Sequence, residues 1–194
     1  MTRRFLIAGN WKMHLNAMQA SLLLHRLQER IPIHRDIEIV LCPSMLVLQP
    51  LSMQIDRRKF RLGSQNAHYE DAGAFTGEVS FTMLRELVHY GIVGHSERRN
   101  KFGETDDDCM KKVAAAFRND ITPILCVGET KSERIAKETK LVLHDQLTVA
   151  LRNLTKDEVA NMVIAYEPVW AIGTGEVATP DMVAESVAVI RNNI

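Results

Sequence analysis

The sequence is poor in cysteine, with three thiols in 194 residues. Cys42, Cys109 and Cys126 are odd in number and widely spaced, and none belongs to a Cys-x-x-Cys pair, so the sequence predicts neither a disulfide framework nor a zinc site. None of the seven histidines is spaced from another histidine or a cysteine as metal ligands on one helix or turn would be. We therefore expect no bound metal and a reducing, cytoplasmic environment.

Net charge and long hydrophobic runs are also absent. Lysine plus arginine and aspartate plus glutamate both number 24, so no overall field favours nucleic acid or an anionic membrane as a partner. The apolar stretch near the amino terminus, Phe5–Ala8, is far too short for a signal peptide or a membrane helix. A Gly-x-Ser-x-Gly nucleophile turn and a Walker phosphate loop are missing as well, which disfavours hydrolase and kinase functions.

What the sequence does contain is a regular alternation of short and long apolar segments. Short runs rich in β-branched residues predict six strands, and a longer stretch with helical periodicity follows each of them. The predicted strands begin near Phe5, Ile37, Phe60, Tyr90, Ile121 and Met162. Helix starts are predicted by the capping pairs Asn16 with Gln19 and Thr130 with Glu133, and by Thr179 directly before Pro180.

Strict alternation of strand and helix predicts a parallel α/β sheet, either open and doubly wound or closed as a barrel of eight strands. The first and sixth strand starts, Phe5 and Met162, lie 157 positions apart. That is about 31 residues per unit, and eight such units need roughly 250 residues, the usual size of a barrel. We expect residues 1–194 to form a single domain that supplies six βα units, with the carboxyl-terminal part of a barrel missing.

Polar side chains follow the predicted strands at their carboxyl ends, where parallel α/β folds place their active sites. Asn10 and Lys12 follow the first strand. His95 follows the fourth, and Glu167 follows the sixth. An amide, a cation, an imidazole and a carboxylate suit proton transfer next to a carbonyl group of an anionic substrate. Each has a structural alternative: Lys12 as a solvated cation and His95 as a histidine bonded to backbone. Glu167 is harder to dismiss, because a carboxylate that ends an apolar strand would be costly if buried and unpaired.

A loop with two glycines follows Glu167. Its Gly173–Ala178 segment matches the dinucleotide-binding fingerprint, but residues 168–172 separate the glycines from the strand, whereas that fingerprint requires a tight turn directly after the strand. We therefore interpret the loop as a mobile lid. Pro168 stiffens its entry, the glycine amides can approach an anion, and Trp170 can exclude water.

Taken together, these motifs resemble the triosephosphate isomerase family along the whole chain. The segments that carry the resemblance are Gly9–Lys12, Gly63–Asn66, Gly73–Glu78, Gly91–His95, Cys126–Glu129, Ala165–Gly175 and Thr179–Pro180. The resemblance implies an α/β fold of the (β/α)8 TIM barrel type, of which six units are present. It also implies the interconversion of dihydroxyacetone phosphate and glyceraldehyde 3-phosphate through an enediolate, without a cofactor, in glycolysis and gluconeogenesis.

By resemblance, Glu167 is the base that moves the carbon-bound proton, and neutral His95 is the electrophile that polarises the carbonyl. This pairing is the established description of the family and not a deduction from spacing. Ser96 and Glu97 would hold Glu167 and His95 in position without contacting the substrate. Ser96 and Glu97 also predict that His95 lies at a helix N-terminus, where the dipole disfavours an imidazolium.

Three further residues would bind the substrate, by the same resemblance. Lys12 would offset charge on the phosphate and on the developing oxyanion, so it would also be catalytic. Asn10 would orient the substrate, and Gly173 would offer a loop amide to the phosphate. The implied ligand is a small phosphorylated triose.

The segment His68–Ser80 resembles the family's dimer loop, in which Thr76 would dock beside the partner's active site, so the resemblance implies a homodimer. Two residues depart from the family pattern. Glu176 occupies a lid position that often carries lysine, and Lys137 occupies a position where glycine is common.

Two alternative functions stay open at this stage. In the first, the chain is a catalytically inactive fragment that acts only as a binding or assembly module, for example through the segment His68–Ser80. In the second, it is a different barrel enzyme, such as another sugar-phosphate isomerase, which the combined motifs disfavour.

Overall fold

The computed structural model describes residues 5–194 and contains two compact units, each described by itself below. The first unit comprises the described residues up to Ile92 together with Arg118–Thr122. The second unit comprises Val93–Phe117 and Pro123–Ile194. The prediction of a single domain over residues 1–194 stays a prediction, and residues 1–4 lie outside the described part of the chain.

Parallel strands with intervening helices build the first unit. The strands are β1 (Phe5–Asn10), β2 (Ile37–Cys42), β3 (Arg61–Ser64) and β4 (Tyr90–Val93), and the helices are α1 (Ala17–Arg30), α2 (Met45–Ser52) and α3 (Phe81–Leu84). Strand β2 lies between β1 and β3, and β3 also pairs with β4. The register places Phe5 opposite Ile37 and Gly63 opposite Tyr90. All three pairings are parallel, as the alternation of strand and helix predicts.

The start of α1 follows from its local sequence. Asn16 accepts a hydrogen bond from the Gln19 amide, and the Gln19 side chain accepts one from the Asn16 amide, which is a complete capping box. Ala20 and Leu24, four positions apart on one face of the helix, are fully buried. The core of this unit also contains Val40, Leu51, Phe60 and Phe81.

The second unit contains two parallel strands and most of the helices. Strand β5 (Thr122–Val127) pairs with β6 (Val163–Tyr166), with Ile124 opposite Val163 and Val127 opposite Tyr166. The helices are α4 (Ser96–Phe102), α5 (Asp106–Arg118), α6 (Lys131–Ile135), α7 (Thr139–Leu151), α8 (Lys156–Asn161) and α9 (Pro180–Asn192), with a short 3-10 turn at Val169–Ala171. All six strands begin at or within one residue of their predicted starts.

The predicted helix starts in the second unit are confirmed. Thr130 and Glu133 form a capping box at α6, and Thr179 caps α9 with Pro180 at its first turn. Lys137, between α6 and α7, has a φ of 63°. A residue with a side chain rarely adopts this left-handed conformation, which explains why glycine suits this position.

None of the helices formed by residues 5–194 is long and apolar enough to cross a membrane. All three cysteines are buried and unpaired. Burial raises the pKa of Cys42 and of Cys109 to about 12 in each case, so neither thiol is ionised near neutral pH.

Candidate active site

Glu167 stands directly after β6, and its backbone is fixed against β5. Its amide donates to the Val127 carbonyl at 2.8 Å, which extends the ladder between the two strands by one residue. Gly128 makes this approach possible, because a Cβ at position 128 would lie 1.8 Å from the Glu167 carbonyl oxygen. The position of the carboxylate is therefore set by the end of β6 and by Gly128, which directly follows β5.

The carboxylate of Glu167 contacts two consecutive residues at the start of α4. One oxygen, Oε2, accepts from the Ser96 amide at 2.8 Å, and the other, Oε1, accepts from the Ser96 hydroxyl at 3.1 Å. Oε1 also lies 3.0 Å from Nε2 of His95. The side chains of His95 and Glu167 are 13% and 15% exposed. The two predicted proton-transfer residues are thus adjacent and still open to a small molecule.

His95 is the N-cap of α4, as predicted. Its Nδ1 accepts a hydrogen bond from the Glu97 amide at 3.2 Å, so this nitrogen carries no proton. This contact selects the tautomer that carries its proton on Nε2, the nitrogen that faces Glu167. The Glu97 carboxylate lies 3.7 Å from Nδ1. Ser96 and Glu97 therefore contact the predicted pair, each through its backbone amide and its side chain.

A buried ionic cluster lies behind the turn that precedes His95. The Glu104 carboxylate accepts from the Gly94 amide at 2.8 Å, from Arg98 at 2.5 Å and from Lys112 at 2.9 Å. Burial by itself would raise the pKa of Glu104, but Lys112 and Arg98 outweigh it, and the pKa is lowered. Gly94 has a φ of 70°. The cluster ties α4 and α5 to the residue next to His95.

The predicted lid, residues 168–178, begins with the 3-10 turn and contains both glycines in the left-handed region. Gly173 and Gly175 have φ values of 70° and 80°, and no atom of residues 5–194 lies within 4 Å of a Cβ placed on either. Trp170 is buried, and the Arg134 guanidinium stacks over its ring at 4.4 Å. The lid therefore has an anchored leading end and an open glycine-rich middle.

Arg134 itself is fixed by a fully buried carboxylate. Glu129 pairs with Arg134 at 2.8 Å, and both of its oxygens accept from the Tyr166 hydroxyl at 3.1 Å. Burial raises the pKa of Tyr166, which keeps this hydroxyl protonated as a donor. These contacts connect the residue before Glu167 to the helix beneath the lid.

In the first unit, Asn10 and Lys12 form a small structured turn after β1. The Asn10 side chain accepts from the Lys12 amide at 3.0 Å, and Lys12 has a φ of 52°. Gln65 donates to the carbonyl oxygens of Lys12 and Cys42, each at 2.9 Å. The unusual backbone conformation of Lys12 is therefore held by two side chains, which is more than a solvated surface lysine requires.

The predicted dimer loop also belongs to the first unit. The His68 ring stacks on Tyr69 and contacts Phe75, with ring centroids 4.4 and 4.2 Å away. Phe75 remains 43% exposed, and Thr76 is exposed beside it. At the base of the loop, hydrogen bonds from Arg118 lower the pKa of Asp71 to about 2.

Four supporting residues escaped prediction: Gln65, Glu104, Glu129 and Arg134. Gln65 and Glu129 lie in segments that carry the family resemblance, so only their roles were missed. Glu104 stands in a strongly polar stretch, Gly103–Asp108, whose composition predicts an exposed turn. Among the described residues, no group of three or more His, Cys, Asp or Glu side chains is arranged to hold a metal ion.

Comparison with known proteins agrees with this geometry. The family model described as triosephosphate isomerase matches residues 5–194. The chain belongs to the triosephosphate isomerase family. A relative named triosephosphate isomerase from Clostridium perfringens is 46% identical over 189 residues, covering 96% of this chain and 75% of the relative. A relative with the same name from Clostridium novyi is 45% identical, and the match covers 99% of this chain and 77% of the relative. One from Clostridium botulinum is 43% identical, and the match covers 97% of this chain and 76% of the relative. The fold class predicted from the sequence, an α/β barrel of the triosephosphate isomerase type, is confirmed.

Proposed function

We propose that the protein interconverts dihydroxyacetone phosphate and D-glyceraldehyde 3-phosphate, with Glu167 as base and His95 as electrophile. The observation that carries the proposal is the 3.0 Å separation of Glu167 Oε1 and His95 Nε2 in a chain of this family. A base and a neutral hydrogen-bond donor that lie side by side can act on adjacent carbon and oxygen atoms of one substrate once the carboxylate has turned toward it. No cofactor is required, because the reaction moves a proton and has no net oxidation.

The two side chains account for the proton transfers of the proposed reaction. The Glu167 carboxylate removes a proton from carbon 1 of dihydroxyacetone phosphate, and the electron pair moves through carbon 2 to the carbonyl oxygen. The Nε2 proton of His95 stabilises the negative charge on that oxygen in the enediolate. His95 then gives its Nε2 proton to oxygen 2 and takes the hydroxyl proton from oxygen 1, and Glu167 returns the abstracted proton to carbon 2, which gives the aldehyde at carbon 1 and a hydroxyl group at carbon 2. His95 can do this as a neutral imidazole because its Nδ1 is occupied by the Glu97 amide.

Before it can act as base, Glu167 must leave Ser96. In the observed position both carboxylate oxygens accept hydrogen bonds from Ser96, which occupy the lone pairs that would take the substrate proton. We therefore regard this geometry as the resting position of the base. Substrate binding has to stabilise another position of the carboxylate by more than these two hydrogen bonds.

The substrate-binding roles of Asn10, Lys12 and Gly173 are part of the proposal. The turn that holds Lys12 in a left-handed conformation supports a role for its ammonium group against the phosphate. Asn10 fixes that turn through its side chain and would orient the substrate. Gly173 has open space around its Cα, so a phosphate could approach its amide.

We also propose a homodimer in a reducing, cytoplasmic compartment. The loop 68–80 supports the dimer, because its base is anchored through Asp71 and its tip leaves Phe75 and Thr76 exposed. Three buried, unpaired thiols support the reducing compartment. Sedimentation velocity tests the dimer, with Thr76→Glu as the variant expected to give a monomer. A wild-type monomer at micromolar concentration would reject it.

The test of the activity is a coupled assay of glyceraldehyde 3-phosphate conversion. It is run on the purified 194-residue chain and on the same chain joined to the part of the C. perfringens relative that the alignment leaves uncovered. We expect turnover that falls about 10³-fold in Glu167→Gln and is unchanged in the exposed control Glu138→Gln. Absence of turnover in both forms would reject the function, and retained turnover in Glu167→Gln would reject the base. An inactive binding module is not favoured, since the family match covers residues 5–194.

A further inference from the structure

The trailing end of the lid makes an ionic contact with helix α6. Oε1 of Glu176 lies 2.5 Å from Nζ of Lys131, at the start of α6. The two side chains are 47% and 56% exposed, so water and salt reach the pair.

Helix α6 contacts both ends of the lid. At the leading end, Arg134 of α6 stacks over Trp170 and is itself bound to the fully buried Glu129. At the trailing end, Lys131 of α6 holds Glu176. In the first contact Trp170 is buried and Arg134 is paired with Glu129, whereas both side chains of the second contact are exposed. Release of the lid from α6 is thus easier at the Glu176 end.

The segment between the two ends is built to move as one piece. The Thr174 hydroxyl donates to the Trp170 carbonyl at 3.0 Å and accepts from the Glu176 amide at 3.2 Å. These bonds tie Glu176 to the body of the lid. Gly173 and Gly175 flank Thr174 in the left-handed conformation, and the two hydrogen bonds of Thr174 span both of them. A contact made by Glu176 is therefore transmitted to the whole lid.

We propose that Lys131 and Glu176 form an ionic latch that holds the lid in the position seen here, in which Glu167 is bonded to Ser96. Both are positioning residues: they act on the reaction through the lid and do not touch the substrate. This inference rests on the proposed function for its catalytic consequence. The latch sets how often the lid leaves its resting position, because breaking the pair destabilises that position alone.

The experiment follows the lid directly, without substrate. The protein is labelled with 5-fluorotryptophan, and the Trp170 signal is assigned with Trp11→Phe, since the sequence has two tryptophans. Fluorine relaxation dispersion measures exchange of Trp170 between lid positions on the microsecond to millisecond scale. We expect Glu176→Gln and Lys131→Glu each to raise the population of the second position about 2- to 5-fold, the range for an exposed ion pair. The charge swap K131E/E176K should restore the wild-type value.

A matched control is the exposed pair of Lys111 and Asp107, 2.6 Å apart, which lies within α5. The swap K111D/D107K and its single variants should leave the Trp170 exchange unchanged. Added salt should raise the exchange of wild type but not that of Glu176→Gln. Unchanged exchange in the single variants, or failure of the swap to restore it, would overturn the latch. Because the experiment uses no substrate, its result does not depend on isomerase activity. The latch and the proposed function can therefore each be rejected without rejecting the other.

Discussion

Ser96 holds the carboxylate of Glu167 twice, through its amide at 2.8 Å and its hydroxyl at 3.1 Å. The hydroxyl contacts Oε1, the oxygen that also faces His95 Nε2 at 3.0 Å. Ser96 thus competes with His95 for one carboxylate oxygen. If the hydroxyl is removed, only the imidazole stays beside that oxygen, and the two groups that we propose as catalytic engage each other.

This competition predicts the effect of Ser96→Ala. The amide contact remains, so Glu167 keeps its general position, but His95 is drawn to the carboxylate and is less available to a substrate carbonyl. We expect kcat/KM to fall about tenfold, which corresponds to roughly 1.4 kcal/mol, because the loss of His95 from the substrate carbonyl outweighs the easier release of Glu167 from Ser96. Steady-state kinetics measure it, with Ser52→Ala as a control serine outside this site. A loss as large as that of Glu167→Gln, or none, would contradict the idea.

His95→Gln tests the electrophile. A glutamine keeps a polar side chain but cannot place the Nε2 proton at the same point, so we expect kcat to fall about 10²- to 10³-fold with KM little changed. Nitrogen NMR of wild type should show His95 protonated at Nε2 and not at Nδ1. The control is His144→Gln, which alters an exposed histidine 2.6 Å from Asn193. A wild-type rate in His95→Gln would remove the residue from the mechanism.

The strands and caps were predictable because their causes are local. The capping pair of Asn16 and Gln19 is read within four residues, and each strand start lies at a change in apolar pattern. The contacts of the candidate site are not local. Ser96 and Glu167 are 71 positions apart, and Lys131 and Glu176 are 45. The pattern of strands placed His95 and Glu167 at the same edge of a parallel sheet, but only the resemblance to a family gave the two residues their roles as a pair.

Burial of charge was the least predictable property. Glu104 lies in a segment of glutamate, threonine and three aspartates that has the composition of an exposed turn, yet it is buried with Lys112. The reason is a three-dimensional one: the amide of Gly94 and the side chain of Arg98 meet at its carboxylate. A buried acid is tolerable where such partners converge.

Gly128→Ala tests how strictly the backbone of Glu167 must be placed. The new Cβ would lie 1.8 Å from the Glu167 carbonyl oxygen, so the strand end carrying the base must shift by on the order of 1 Å. A displacement of this size costs about 100-fold in rate, and we expect kcat to fall accordingly. Gly9→Ala is the matched control, because the nearest atom to its Cβ is at an ordinary 3.8 Å. A kcat within threefold of wild type in Gly128→Ala would show that the backbone position is not critical.

Glu104→Gln tests the buried cluster behind His95. Glutamine can still accept from the Gly94 amide, but it removes the negative charge that Lys112 and Arg98 face in a buried site. We expect the free energy of unfolding at pH 7 to fall by about 3 kcal/mol. Urea denaturation measures it, with Asp107→Asn as a control, since that residue forms an exposed pair with Lys111.

The same variant tests how the contribution of Glu104 to the free energy of unfolding depends on pH. The folded-state pKa of Glu104 lies below the unfolded value of about 4.3, so its stabilising contribution is complete above that value and is lost as the pH falls through the folded pKa. The difference in unfolding free energy between wild type and Glu104→Gln should therefore be constant from pH 7 to about 5 and shrink below about 4. A difference that persists undiminished to pH 3 would mean that the carboxylate contributes to stability through its shape and not through its charge.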